Sequence, residues 1–195
     1  MEFSPTCALV VVDVQRDFAD PSGSLFVTGG PETIPVVNAL VADATRAGAT
    51  VAYTQDWHPE DTPHFAKDGG IWPVHCVRGT DGAAFHPDLD VAEDALVVRK
   101  GIGGEDGYSG FTMRDPVSGY EVPTELAGAL DARGVTEVVV VGLALDYCVR
   151  DTALDAARLG FDTTVVADAT AAVDLTPGDG SRAVAALVAA GVSIV

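Results

Sequence analysis

The stretch EVVVVGLALDYCV, residues 137–149, decides the fold class of this chain. Its unbroken run of valines is typical of a strand buried on both faces, as in a parallel sheet. Similar runs predict strands at 7–12, 50–54, 95–100, 136–142, 162–167 and 192–195. Helical patterns alternate with them, at 31–47, 122–133, 146–159 and 178–190. This alternation predicts a three-layer α/β fold, with a parallel sheet between helices.

The composition fits a single domain spanning residues 1–195. The chain is 48% hydrophobic and 21% charged, which provides enough apolar side chains for a buried core. Its formal net charge of −18 argues against nucleic acid or an anionic membrane as a partner, because phosphate binding needs basic surface. Membrane-spanning and signal-peptide patterns are not found, and the three cysteines are scattered. We therefore expect a soluble cytoplasmic protein.

Reactive side chains follow the predicted strands. Asp13 comes after the first strand, Asp56 and His58 after the second, and Lys100 closes the third. Cys148 follows the strand at 136–142. Because the carboxyl ends of parallel strands meet at one edge of the sheet, where ligands bind, an acid, an amine and a thiol are expected to meet there. The sequence therefore predicts a catalytic site at this edge.

The three groups suit nucleophilic catalysis. Cys148 falls in the predicted first turn of a helix, where partial positive charge lowers a thiol pKa from about 8.5 and N–H groups can hold an oxyanion. Burial raises the pKa of Asp13 and a nearby lysine lowers it, which suits a proton shuttle. Lys100 can hold both groups in their charged forms. Taken singly, each also fits a structural role: a core thiol, a turn-capping carboxylate and a solvated amine.

A cluster of candidate metal ligands follows the second strand. Three of the four histidines lie between positions 58 and 75. Together with a carboxylate and water they suit Zn²⁺, Fe²⁺ or Mn²⁺, although each alone also fits a hydrogen-bonded loop residue. The candidate ligands are Asp56, His58, His64 and His75, whereas His86 and Cys76 are expected to be structural.

Two long segments, 55–92 and 101–121, lack a periodic apolar pattern but carry aromatic residues, so we expect them to be ordered over the site. The glycine run at 101–111 does not match G-x-G-x-x-G, and no phosphate-binding loop motif is present. A nucleotide site is therefore not predicted.

These residues, in this order, resemble the nicotinamidase branch of the isochorismatase-like cysteine hydrolases. The resemblance runs almost end to end. It includes VVDVQRDF (11–18), DWHPEDTPHF (56–65), WPVHCVRGTDGAAFHP (72–87), the lysine at 100 followed by GYSGF (107–111), and VVVVGLALDYCVRDTALDA (138–156). Two segments, 101–107 and 145–147, depart from the family pattern in detail, and neither carries a proposed catalytic group.

The resemblance implies a doubly wound, six-stranded parallel sheet flanked by helices. It also implies hydrolysis of nicotinamide to nicotinate and ammonia through a thioester, as in NAD salvage, with one divalent metal ion, Zn²⁺ foremost. The implied catalytic residues are Asp13 as proton shuttle, Lys100 as stabilising cation and Cys148 as nucleophile. Asp56, His58 and His64 would bind the metal, with His75 as a further ligand. Phe18, Trp72 and Tyr108 would pack around the pyridine ring, and the N–H groups of Ala144 and Cys148 would form an oxyanion hole.

The family further implies a cis peptide bond between Leu143 and Ala144. Two alternatives stay open at this point. One is another amidase of the superfamily, acting on a carbamoyl or ureido group, and the other is a non-catalytic α/β binding domain. The oligomeric state is not fixed by the sequence, and a homo-oligomer remains open.

Overall fold

The computed structural model describes residues 1–92 and 95–195. In chain order its strands are β1 (Cys7–Val12), β2 (Thr50–Asp56), β3 (Leu96–Lys100), β4 (Thr112–Arg114), β5 (Glu121–Pro123), β6 (Glu137–Leu143), β7 (Asp162–Ala171) and β8 (Ser193–Ile194). Its α-helices are α1 (Arg16–Ala19), α2 (Gly30–Arg46), α3 (Leu126–Asp131), α4 (Arg150–Arg158) and α5 (Asp179–Ala189). In the described part of the chain, no helix is both long and apolar enough to cross a membrane.

Six of the strands form one parallel sheet in the order β3-β2-β1-β6-β7-β8. The order runs one way from β1 to β3 and the other way from β6 to β8, so it reverses between β1 and β6. In open α/β sheets such a reversal leaves a crevice at the carboxyl ends of the strands, where ligands bind. The register also places Asp56 directly beside Lys100.

The sheet lies between two apolar cores, because successive side chains of a strand point to opposite faces. Cys7, Leu9 and Val11 of β1 pack in the core that contains α2. The alternate residues of β1 pack in the other core, with α3, α4 and α5. The predicted three-layer fold with a six-stranded parallel sheet is therefore confirmed.

Most predicted elements agree with the structure at their ends to within one or two residues, and three differ more. The helix predicted at 122–133 begins only at Leu126, because Glu121–Pro123 pair with Thr112–Arg114 in an antiparallel ribbon. The residue before a proline favours extended backbone, and Val122 is in that position. The strand predicted at 162–167 continues to Ala171, with a shift of register opposite Val140 and Gly142.

The helix predicted at 146–159 is two structures. Leu145–Val149 form a single π-helical turn, and the regular α-helix begins at Arg150. The N–H groups of Tyr147 and Val149 both donate to the carbonyl oxygen of Ala144, at 3.1 and 3.0 Å. Cys148 therefore lies in a wide turn directly after β6. Turns of this kind occur frequently at functional sites.

Candidate active site

Asp13, Lys100 and Cys148 meet at the carboxyl edge of the sheet, at its reversal point. Asp13 and Lys100 are both fully buried, and Cys148 is 7% exposed. Lys100 Nζ lies 2.6 Å from Asp13 Oδ2 and 2.6 Å from Asp56 Oδ1, and it donates to Cys148 Sγ at 3.6 Å. It also donates to the carbonyl oxygen of Gly107. The lysine thus connects both carboxylates and the thiol. The strand ends had indicated that Asp13, Lys100 and Cys148 meet, and the structure adds the bond from Lys100 to Asp56.

Backbone geometry and one hydroxyl fix the carboxylate of Asp13. Asp13 has a positive φ of 48°, which is uncommon for a residue other than glycine. Thr54 Oγ1 donates to Asp13 Oδ1 at 2.6 Å and accepts from the Asp13 N–H at 3.2 Å. One carboxylate oxygen is therefore held by Thr54 while the other faces Lys100. Thr54 was not predicted from the sequence, although its spacing of two from Asp56 places both on one face of β2.

Burial and charge set the ionisation of this group. Burial raises the pKa of Asp13, and Lys100 partly offsets that effect, so the value is about 6. Burial also acts to raise the pKa of Asp56, but Lys100 together with His58 and His75 outweighs it and holds the value well below the ordinary range. Burial lowers the pKa of Lys100, and attraction to the two carboxylates reverses this and holds it well above its usual value. At neutral pH the lysine is charged and Asp13 is poised to gain or lose a proton.

The thiol differs from the sequence-based expectation. Burial raises the pKa of Cys148 well above its ordinary value, and the nearby Lys100 only partly opposes this. The predicted lowering of the pKa by an α-helix N-terminus is therefore wrong in direction, since Cys148 lies within the wide turn and is desolvated. The resting thiol is protonated and needs a base, and Asp13 lies beside it: Asp13, Asp56 and Cys148 have side-chain ligand atoms within 4.8 Å of one another.

The three histidines of the predicted metal cluster also come together. His58, His64 and His75 are buried, and each offers a ring nitrogen within 4.8 Å of the others. Asp56 Oδ2 lies 3.6 Å from His58 Nε2 and 3.8 Å from His75 Nε2. Because the other oxygen of Asp56 accepts from Lys100, this carboxylate connects the histidine cluster with the lysine and thiol.

Gln15, a second residue not predicted from the sequence, positions Asp56. The buried side-chain amide of Gln15 accepts from the Asp56 N–H at 2.8 Å and donates to its carbonyl oxygen at 2.8 Å. The same amide donates to the carbonyl oxygen of Ala83 at 2.8 Å. Gln15 follows Asp13 by two residues, and this local spacing was the available signal.

The donor set fits a divalent cation. Both ring nitrogens of His58 are buried without a hydrogen-bond partner among the described residues, which is costly unless a ligand takes a lone pair. His75 Nδ1 donates to the carbonyl oxygen of Pro73 at 2.8 Å, so its lone pair is on Nε2, the atom nearer Asp56. Three imidazoles and one carboxylate are ligands that first-row divalent ions accept.

Glycine at position 101 makes room for this cluster. Gly101 has a φ of +69°, and a Cβ atom there would lie 2.4 Å from His58 Cε1. The loop can therefore pass over the His58 ring only without a side chain at this position. Within the glycine run that does not match a nucleotide motif, Gly101 therefore has a steric role.

One narrow pocket opens onto the thiol and the histidines. It is lined by side chains predicted from the sequence and by further apolar ones: Phe18, Leu25, Val27, Asp56, His64, Trp72, His75, Tyr108, Ala144, Tyr147, Cys148 and Val173. Trp72 Nε1 donates to the Tyr108 hydroxyl at 2.8 Å, and Tyr147 packs edge-on against Trp72 with ring centroids 4.7 Å apart. The three expected aromatic residues thus share a wall with Tyr147, which the sequence analysis had not named.

The remaining expectations concern the backbone and two structural residues. The Leu143–Ala144 peptide bond is cis, as the resemblance implied. His86 lies outside the cluster, where its Nδ1 accepts from the Asp88 N–H at 3.2 Å. Cys76 is fully buried, and its N–H donates to Asp17 at 2.7 Å. Both fit the structural role expected for them.

Comparison with known proteins agrees with this geometry. A nicotinamidase/pyrazinamidase from Mycobacterium tuberculosis is 44% identical over 169 residues, covering 85% of this chain and 87% of that protein. The crystal structure of a pyrazinamidase from Pyrococcus horikoshii in complex with zinc matches with a TM-score of 0.87 at 41% identity, covering 98% and 99% of the two chains. PnC1 from L. infantum in complex with nicotinate matches with a TM-score of 0.91 at 38% identity, covering 100% and 95%.

A family model described as an isochorismatase domain matches residues 7–193. Fold, site and sequence therefore agree, and the chain belongs to the isochorismatase family. The resemblance inferred from its motifs is confirmed.

Proposed function

We propose that the chain is a nicotinamidase, a metal-assisted cysteine amidase that converts nicotinamide to nicotinate and ammonia in NAD salvage. The observation that carries the proposal is one pocket lined both by the thiol of Cys148 and by His64 and His75 of the ligand cluster. A small molecule with a carboxamide at one end and a ring nitrogen at the other can engage both. Relatives named as nicotinamidases at 38% and 44% identity support this choice of substrate.

The first half of the proposed mechanism is acyl transfer to sulfur. Asp13 takes the proton of Cys148, and the thiolate attacks the carboxamide carbon. Because the pKa of this thiol is raised by burial, proton transfer and attack are coupled, and Lys100 stabilises the developing negative charge at 3.6 Å from sulfur. Asp13 then gives the proton to the departing nitrogen as the C–N bond breaks. Ammonia leaves, and a thioester on Cys148 remains.

The second half returns the enzyme to its starting state. Asp13, ionised again, takes a proton from water, and the resulting hydroxide attacks the thioester carbon. The C–S bond breaks, and Cys148 regains its proton from Asp13. The nicotinic acid that forms loses its carboxyl proton to solvent and leaves as nicotinate. In both halves the N–H groups of Ala144 and Cys148 are proposed to hold the oxyanion, an interaction that contributes roughly 3 kcal/mol per donor.

The proposed metal ligands are Asp56, His58, His64 and His75, and Zn²⁺ is the proposed ion, with Fe²⁺ and Mn²⁺ as the other candidates. When bound, the ion supplies a Lewis acid that accepts the pyridine nitrogen and so orients the ring. Phe18, Trp72 and Tyr108 are proposed to pack against the ring faces and edges. The cytoplasmic location and the single-domain organisation remain predictions from the sequence.

The test is ammonia release by the purified protein from nicotinamide, measured before chelation, after chelation and after return of Zn²⁺. We expect release that falls on chelation and recovers with the ion. Benzamide, which has the same carboxamide but lacks the ring nitrogen, is the matched substrate control and should be hydrolysed far more slowly.

Two outcomes would contradict the proposal in different ways. Release that is indifferent to chelation would leave the cysteine chemistry standing but remove the role of the ion in turnover. If the metal-loaded protein releases no ammonia from nicotinamide, the substrate assignment fails. Carbamoyl and ureido amides would then be tested, since a maleamate amidohydrolase and a ureidoacrylate amidohydrolase are 31% and 30% identical to this chain.

A further inference from the structure

His64 differs from its two neighbours in what its second ring nitrogen contacts. His64 Nδ1 lies 3.2 Å from Asp106 Oδ1. The corresponding nitrogen of His75 donates to a backbone carbonyl, that of Pro73, and His58 has no hydrogen-bond partner among the described residues. The cluster therefore contains one imidazole that is paired with a carboxylate outside the cluster itself.

Asp106 is built into the fold at this point. Its side chain is only 7% exposed. The carboxylate oxygen that does not face His64 accepts a hydrogen bond from Arg114. Its N–H donates to the Arg114 carbonyl oxygen at 2.8 Å, which closes the base of the loop that starts at β3 and ends in β4. With both oxygens occupied and the backbone held, the carboxylate cannot turn away from the imidazole.

A further contact fastens this loop to the segment that carries His64. Thr62 Oγ1 donates to the Gly104 carbonyl oxygen at 2.8 Å and accepts from the His64 N–H at 3.2 Å. The backbone of His64 and the carboxylate that faces its ring are thus held by the same loop. This gives the segment 101–107, which departs from the family pattern, a role of its own.

On the basis of the proposed metal site, we infer that Asp106 is a positioning residue for His64. An ionised carboxylate can only accept a hydrogen bond, so the proton of the neutral imidazole lies on Nδ1 and the lone pair on Nε2. Nε2 is then the atom available to the ion, as it is in His75. Carboxylate partners of this kind also make the ligand more basic, and their removal typically weakens metal binding about 10–100-fold.

The experiment measures the dissociation constant of Zn²⁺ by competition with a chromophoric chelator, without any turnover. In Asp106→Ala the constant should rise about 10–100-fold, and in Asp106→Asn, which retains an acceptor but no charge, by less. The matched control is Asp155→Asn, because Asp155 borders the same surface cleft as Asp106 but accepts from Thr112 and Arg158 instead. This control should bind Zn²⁺ as the unchanged protein does.

The outcomes separate this inference from the proposed function. If the unchanged protein binds no Zn²⁺, the proposed metal site and the role of Asp106 fail together. If it binds Zn²⁺ and Asp106→Ala binds within about twofold of it, only the role of Asp106 is overturned.

A second measurement uses the unchanged protein and so does not depend on how the variants fold. Long-range ¹H–¹⁵N spectra of the metal-free protein report which ring nitrogen of His64 carries the proton. A proton on Nδ1 supports the inference, and a proton on Nε2 overturns it.

Discussion

Replacing Lys100 by methionine should destabilise the protein strongly, because it removes the cation that two buried carboxylates share. Lys100 Nζ lies 2.6 Å from both Asp13 and Asp56, and the lysine side chain is fully buried. Methionine retains most of the apolar length of the side chain but carries no charge. The carboxylates would then lie within 4.8 Å of each other without their common partner.

The magnitude follows from the burial of the pairs. Removing one partner of a buried ion pair costs about 3–5 kcal/mol in the free energy of unfolding. With a urea dependence of about 2 kcal/mol per M, the unfolding midpoint should fall by about 1.5–2.5 M. The matched control is Lys67→Met, because the partly exposed Lys67 also pairs with two carboxylates, Asp61 and Asp68. Exposed pairs contribute only about 0–1 kcal/mol, so this midpoint should hardly move.

The loss should also depend on pH in a defined direction. Without Lys100, burial and mutual repulsion raise the folded-state pKa values of Asp13 and Asp56 above their unfolded values. A carboxyl whose pKa is raised by folding binds more protons in the folded state, so the variant gains stability as the pH falls through those values. The deficit relative to the unchanged protein should therefore be largest at pH 8 and shrink towards pH 5.

The assay is urea unfolding followed by circular dichroism at pH 8, 7, 6 and 5, with a chelator present so that a bound ion does not contribute. Equal midpoints for Lys100→Met and Lys67→Met at pH 8 would refute the shared-cation argument. A deficit that stays constant from pH 8 to pH 5 would show that its origin is packing, not charge.

Three further outcomes are expected. Cys148→Ala should abolish ammonia release while the Zn²⁺ content, measured by mass spectrometry, stays unchanged; loss of the ion as well would contradict the separation of nucleophile and ligands. The value of kcat/KM should fall about tenfold per pH unit below about pH 6, where Asp13, with its pKa raised by burial, becomes protonated and can no longer accept the thiol proton. A flat profile between pH 7 and 5 would exclude Asp13 as the base. Gly101→Ala should weaken Zn²⁺ binding in chelator competition, because its Cβ would lie 2.4 Å from His58, whereas Gly119→Ala, at a similar φ of +74° but with open space around it, should not. Equal effects of the two substitutions would attribute the loss to backbone strain alone.

Much of the site was predictable because it depends on local pattern. The valine runs marked the strands, and parallel strands of one sheet end at one edge, so Asp13, Lys100 and Cys148 had to approach each other. The Asp-x-His spacing at the end of β2 likewise placed two candidate ligands together. The family motifs then added the aromatic wall and the cis peptide bond, which the structure contains.

Local pattern was insufficient where backbone conformation depends on distant contacts. Glu121–Pro123 are a strand because Thr112–Arg114 pair with them, and a helical pattern cannot report on that partner. The turn at Leu145–Val149 is wide, so Cys148 is not at an ordinary helix N-terminus. The pKa of Cys148 was predicted to be lowered, whereas it is raised. The prediction was wrong because the thiol is not at a regular helix N-terminus and because its burial depends on the whole fold.

The sequence by itself determined the chemical groups and the edge of the sheet at which they meet, because side-chain type and strand direction are local properties. Only the tertiary structure decided how the groups are shared. The strand order places β2 between β3 and β1, and Lys100 therefore reaches both Asp56 and Asp13. The contact of His64 with Asp106 joins residues 42 apart in the chain. Such contacts follow from the packing of the whole chain. That packing sets the distances between the side chains and their burial, and through these the ionisation of each group.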